Sequence, residues 1–303
     1  MFKNATVFRI SDNWASTLPQ IEEQLRDAAF TECQPTQQQS TGWIAPREAN
    51  GVLAEFVSGE LILKLRTDTR KVPSDVLNKH VDDLADRIEN STGRKPGRKE
   101  RKELKEQALH ELLPHAFIKT TTTLVWIDRA NRMLVIDSAS SSRVDAVVTS
   151  LVKTLEGLAV CHVVPDHSPA GSMAFWLQTG EPPYGFSVDR ECELKSQDEM
   201  KSVVRYGRHP LDTDEIKQHI VSGKIPTKLA MTWRDRVSFV LTDTMVLKKL
   251  ALLDVVMEGK TIENASEAFD ANVSIFTGEF TPLFADLLDG LGGEAVQQEG
   301  GAA

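Results

Sequence analysis

Cysteine is scarce in this 303-residue chain: Cys33, Cys161 and Cys192 are far apart and odd in number. They can build neither a disulfide framework nor a Cys-x-x-Cys metal knuckle within one chain. Long apolar runs are missing too. The longest, Met173 to Leu177, holds five residues against the ~20 that a bilayer-spanning helix needs, so no membrane span is expected. The opening Met1-Phe2-Lys3-Asn4-Ala5-Thr6 turns polar too soon for a secretory signal, and a cytoplasmic address is the expectation. Glycine and proline, at 18 and 13 residues, are too few for a collagen-like or linker-dominated chain. No Gly-x-Ser-x-Gly elbow occurs and no cysteine sits in a recognisable nucleophile context. The reading is of a protein that is not an enzyme and needs no cofactor or metal.

Apolar residues make up 41% and charged residues 26%, enough to fill real cores in one large unit or two to three smaller ones. The net charge of -9 looks hostile to nucleic acid until it is mapped along the chain. Residues 254 to 303 hold ten acids (Asp254, Glu258, Glu263, Glu267, Asp270, Glu279, Asp286, Asp289, Glu294, Glu299) against one base, Lys260. That segment carries the whole excess. Between Arg94 and Lys105, by contrast, seven bases face only Glu100 and Glu103.

Thr6 to Ile10 reads as a strand, and Thr17-x-x-Gln20 with Pro19 starts a helix that places Ile21 and Leu25 on one face. Gly42 to Ala45, Val52 to Val57 and Glu60 to Arg66 are short strand candidates separated by turn residues. Pro73-Ser74 opens a helix with Leu77, Val81, Leu84 and Ile88 three or four apart. Asn90 to Gly97 then interrupts it before a second helix with Leu104, Ala108 and Leu112. The expectation is a helical hairpin with its cations at the far end. Thr121 to Ile127 and Arg132 to Asp137 are strands, followed by a helix from about Ser142 to Leu155. A weak internal echo links Trp126 and Asp137 with Trp233 and Asp243, each pair of strands followed by helix-like sequence; a hairpin with an Asp-bearing turn accounts for it equally well. Pro165 to Gly185, rich in proline and glycine, marks a boundary or a long irregular connection. Thr281-Pro282 opens a helix with Leu283, Phe284, Leu287 and Leu288 apolar, ended by Gly292-Gly293. The fold class is therefore α+β, with antiparallel sheets and flanking helices. Its expected parts are a central domain of residues 1–73 plus 118–163, a hairpin of residues 74–117, and a second α+β domain of residues 164–303.

Candidate chemistry is thin. Gly93-Arg94-Lys95-Pro96-Gly97-Arg98-Lys99 lacks the spacing, the following Ser or Thr and the preceding strand of a phosphate loop. Two readings of this cationic segment stand: a solvated charged face, or a contact for a polyphosphate backbone whose counterions it would release. His162, Asp166 and His167 offer metal-ligand types, but Pro165 breaks their spacing and the reading is structural. Asp128 and Asp137 as a two-carboxylate metal site lose to the simpler role of turn formation. Phe117, beside His115 and Lys119, is either core or an exposed anchor in a subunit contact.

Leu112-Leu113-Pro114-His115-Ala116-Phe117, Val125-Trp126-Ile127-Asp128, Thr227-Lys228-Leu229-Ala230 leading to Trp233, and Thr277-Gly278-Glu279 leading to Leu291-Gly292-Gly293-Glu294-Ala295 together resemble the RdgC family of bacterial recombination-associated proteins. The resemblance runs from the first strand to the last helix. It implies a nucleoid protein that binds duplex DNA with little sequence preference and restrains the RecA recombinase, built as two crescent subunits that close into a ring. Carried over by position, basic hole-facing sites fall on Arg94, Arg208 and His209, and the family's contact phenylalanine falls on Phe117. Positions 115 and 209 are His here, where relatives have Arg and Gln. The DNA-binding set so expected is Arg94, Lys95, Arg98, Lys99, Arg101, Lys102, Lys119, Arg208 and His209. Phe117, Leu283, Phe284, Leu287 and Leu288 are the expected subunit contacts, with the acidic segment outside the ring or at that contact. The rival reading is a module that binds RecA directly through its acidic tail, and a metal-dependent nuclease is the enzymatic outsider.

Overall fold

The computed structural model of the protein describes residues 2–47, 51–257 and 265–295. Two antiparallel sheets organise them. The first contains β1 (Thr6–Ile10), β2 (Gln39–Ile44), β3 (Glu55–Val57), β4 (Glu60–Arg70), β5 (Ile118–Asp128), β6 (Met133–Ile136) and β7 (Val160–His162) in the order β2-β4-β5-β6-β1-β7, with β3 also on β4. The second contains β8 (Phe186–Ser196), β9 (Val203–Gly207), β10 (Lys224–Trp233), β11 (Val237–Thr242) and β12 (Leu247–Leu252) in the order β12-β11-β10-β8-β9. The α+β class and the antiparallel sheets agree with the sequence reading. The Trp126 and Trp233 hairpins do not head equivalent units: β6 leads to the helix α4 (Ser141–Thr154), whereas β11 leads to a further strand, β12.

Helix α1 (Leu18–Asp27) has its Thr17/Gln20 capping box, and its buried Ile21 and Leu25 pack with α4 residues Val144, Val147 and Leu151 on one face of the first sheet. The Pro165–Gly185 stretch is not irregular. It contains α5 (Pro169–Thr179), capped by Ser168, whose hydroxyl accepts from the Gly171 amide at 3.2 Å, and ended by Gly180 in the left-handed region. With α6 (Asp214–Val221), it covers the second sheet.

The C-terminal helix overturns its expected start. After the short α7 (Asp254–Met257), α8 runs from Ala265 to Gly290 with Pro282 inside it. Proline removes one backbone donor, but aromatic burial on both sides of it holds the helix: Phe276, Phe280 and Phe284 stack in series at 5.4 and 5.7 Å. Phe2 stacks on Phe276 at 4.9 Å, and Trp126 of β5 meets Phe280 edge-on. One apolar cluster thus joins Val7, Ile62 and Trp126 of the first sheet to Leu229, Phe239 and Leu241 of the second through α8.

Helices α2 (Ser74–Thr92) and α3 (Arg98–Leu112) lie between β4 and β5, whose paired ends are Arg70 and Ile118. They pack on each other through Leu77, Val81, Ala85, Leu104 and Ala108, a cluster separate from the two sheet cores. The Arg70 guanidinium ties their base down, donating to the Ala116 carbonyl at 3.0 Å and the Cys33 carbonyl at 3.3 Å. No described helix is long and apolar enough to cross a membrane.

Candidate nucleic-acid interface

The turn between α2 and α3 is built around one carboxylate. Gly93, at φ 71°, closes α2 with a 2.8 Å bond from its amide to the Glu89 carbonyl, a conformation that favours glycine. Glu100 then reaches back to accept from the Gly97 amide at 2.9 Å and from both Arg94 terminal nitrogens at 2.7 and 2.8 Å. The Arg94 guanidinium and the Gly97 amide hold its carboxyl down at about 2. Lys95 lies 3.8 Å from Glu89, and Arg101 pairs with Asp82 across the two helices. Three of the seven cations are thus opposed by acids of their own helix pair.

The other four differ. Arg98, Lys99, Lys102 and Lys105 have no carboxylate at ion-pair distance among the described residues, and with Arg101 they line one open depression on the surface. Leu104 and Ala108 are buried in the α2 seam, so the three- and four-residue spacing of Arg98, Lys102 and Lys105 turns that row outward.

Lys119 is exposed on β5 across from Thr69, and Phe117 beside it is 94% exposed, with Ile118 at 43%. Phe117 is therefore not core. Arg208 follows β9 at φ 57° with its side chain exposed. The next residue, His209, donates its amide to the Arg190 carbonyl at 3.1 Å and sets Nδ1 2.6 Å from the Pro210 carbonyl. That contact needs a proton on Nδ1, which leaves Nε2 to accept when the ring is neutral. Beneath it lies Tyr206, 5.5 Å ring to ring, whose hydroxyl donates to Glu215 at 2.9 Å. Burial and that carboxylate push the phenol up to about 12. The α3 row hangs from the first sheet and Arg208 from the second; no hydrogen bond or ion pair joins them.

A family model described as "Putative exonuclease, RdgC" matches residues 1–294. The chain belongs to the RdgC family. It is 43% identical over 295 residues to the recombination-associated protein RdgC of Bordetella pertussis, covering 97% of this chain and 98% of the relative. The RdgC of Herminiimonas arsenicoxydans is 42% identical over 301 residues, covering 98% and 99%. That of Cupriavidus necator is 44% identical over 295 residues, covering 97% and 98%.

Against this RdgC background, two expectations change. Leu283, Phe284, Leu287 and Leu288 are 0 to 6% exposed within the chain's own core, because α8 must fill the space between both sheets. Those four side chains, expected as subunit contacts, are buried in the single chain. Four acids of α8 and the following residues face arginines instead of lying apart: Asp270 pairs with Arg47, Glu279 with Arg236, Asp286 with Arg234 and Glu294 with Arg9. Glu258, Glu263 and Glu299 lie outside the described residues. Asp128 and Asp137, for which turn formation is the preferred reading, each have partners of their own. Asp128 accepts from the Asn131 amide and side chain at 2.8 and 2.7 Å, while Asp137 accepts from the Lys3 and Asn4 amides at 2.9 and 2.8 Å. No group of three or more metal-ligating side chains occurs among the described residues, so His162, Asp166 and His167 do not assemble one.

The expected DNA-binding set holds six of the seven cations without distinguishing them and leaves out Lys105, which lines the same depression as Arg98, Lys99 and Lys102. The missed signals are Glu100, six residues after Arg94, and Asp82 on the facing helix, which divide the cluster into paired and unpaired halves.

Proposed function

We propose that this RdgC-family protein binds duplex DNA through its phosphates, without reading base edges, as a ring of two crescent subunits. Its effect on recombination is to limit the access of RecA to DNA by occupying it. The observation that carries the reading is the outward row of Arg98, Lys99, Lys102 and Lys105, free of carboxylate partners among the described residues, in a chain four of whose C-terminal acids face arginines. Phosphate would displace no ion pair at that row, and the gain is the release of condensed counterions. A two-fold axis doubles every such row and brings Lys119, Arg208 and His209 of both copies into play around one opening. Phe117 supports the pairing. It is a bare aromatic beside Ile118, and β5 pairs with β6 only over Val125–Asp128, so residues 118–123 offer one unpaired edge. Cytoplasm and nucleoid are the setting this reading requires.

Occupancy of DNA needs no catalytic residue. Two-carboxylate metal catalysis of the kind that the family description's "exonuclease" invites finds no support at Asp128 and Asp137: both oxygens of Asp128 accept from Asn131, and Oδ1 of Asp137 accepts from the Lys3 and Asn4 amides. Direct capture of RecA through the acidic segment is disfavoured by the arginine partners of Asp270, Glu279, Asp286 and Glu294. The test is a salt series of duplex binding on end-labelled DNA with magnesium or manganese present. Affinity should fall on a log-log plot with a slope of about -0.9 per phosphate contacted, alike for unrelated sequences, and the label should stay intact. A flat salt dependence or shortened DNA overturns the reading.

A further inference from the structure

We propose that the surface around Phe175 is a docking groove for an arginine- or lysine-bearing segment of a partner protein. Two hollows adjoin there, about 440 and 620 Å³ in size, sharing Phe175, Trp176 and Gly290 on their walls. Phe175 is 55% exposed and Tyr184, on the rim of the smaller hollow, is 94% exposed. Single exposed apolar side chains are ordinary, but here two exposed aromatics line one hollow. Gly290 shapes its floor: a Cβ there would lie 2.7 Å from the Pro183 ring, so α8 approaches the Pro183–Tyr184 turn only because position 290 lacks one.

The charge around these rings selects the occupant. Glu181 and Asp289 have no cationic partner among the described residues, and Asp166 has only His167, at 3.7 Å. Asp286, on the same wall, is engaged by Arg234 and the Trp233 indole. Unpaired carboxylates beside exposed aromatic faces complement guanidinium or ammonium groups, which stack on the rings and pair with the oxygens. The same sign repels phosphate. This groove therefore stands independently of the DNA reading and gives the molecule a second, oppositely charged recognition surface.

The test uses the full chain and a short fluorescein-labelled arginine–serine repeat peptide, read by anisotropy. F175A and Y184S leave the net charge unchanged, and each should weaken the peptide about three- to tenfold; D289N should weaken it as well. Circular dichroism melts of the variants should match the parent, because both aromatic side chains are exposed. Peptide affinity indifferent to F175A and Y184S would mean diffuse attraction to an acidic protein and overturns the proposal. Dissociation of the protein's own oligomer by Y184S in sedimentation velocity also overturns it, since the groove would then hold a second copy. Duplex affinity unchanged in Y184S separates this result from any failure of the DNA reading.

Discussion

The cations between Arg94 and Lys105 are not equivalent. Arg94 neutralises Glu100 and shapes the turn, whereas Lys102 and Lys105 have no carboxylate at ion-pair distance among the described residues. K102E combined with K105E should therefore weaken all duplexes alike and flatten the log-log salt dependence by about 1 for each phosphate contact removed. R94A should cost less in contacts made directly, because its guanidinium must leave a bidentate carboxylate before it can meet phosphate. Filter binding over a salt series compares the two. Elsewhere a single acid carries a pH signature. Glu193 accepts from Arg205 at 2.6 Å, and from Lys228 and Thr227 at 2.9 Å, which brings its carboxyl down to about 2. A carboxylate with a depressed folded pKa stabilises the fold above its unfolded pKa of about 4.3 and loses that contribution as pH falls towards 2. Denaturant midpoints measured from pH 5 down to pH 2 should fall less steeply for E193Q than for the parent. The abundance of bases was legible in the sequence; which of them remain unpaired was not, because Asp82 and Arg101 are brought together by helix packing.

At the scale of elements, α8 matters most. Its apolar run looked like a surface awaiting a partner, and the partner is the chain itself: Phe280 is 1% exposed, with Phe276, Phe284 and Trp126 around it. F280A should destabilise the fold by about 3–5 kcal/mol, the range for a large aromatic deleted from a packed core, seen as a lowered denaturation midpoint. Because the cluster includes residues of both sheets, the loss should register in probes of either sheet together. α1 and α4 were readable from caps and three- to four-residue periodicity. The start of α8 was not, since Pro282 gives the local signal of a first turn while tertiary burial carries the helix through it. α5 was hidden in a similar way, its Ser168-Pro169 start obscured by glycines and prolines on both sides.

For the whole molecule, the proposed function asks how a chain of net charge -9 would meet a polyanion. Internal pairing of four C-terminal acids answers part of it, and the proposed pairing of subunits would answer the rest. F117S removes an aromatic that is 94% exposed in the single chain, so the monomer's melting should hardly change. The subunit contact, by contrast, should lose an anchor of ~2 kcal/mol or more. Sedimentation equilibrium distinguishes the outcomes: a dimer dissociation constant raised at least about 30-fold is expected, and an unchanged one places the contact elsewhere. Duplex affinity should fall with it at low protein concentration.

By itself, the sequence determined the α+β class, the α2–α3 helices with their cations, and membership of the RdgC family, because periodicity, caps and ordered short motifs are local properties. Tertiary structure alone decided that Leu283, Phe284, Leu287 and Leu288 are interior, that Asp270, Glu279, Asp286 and Glu294 face arginines, and that Asp137 accepts from the amides of Lys3 and Asn4. These depend on which surfaces of segments distant in the chain meet, and burial and charge pairing exist only once they do.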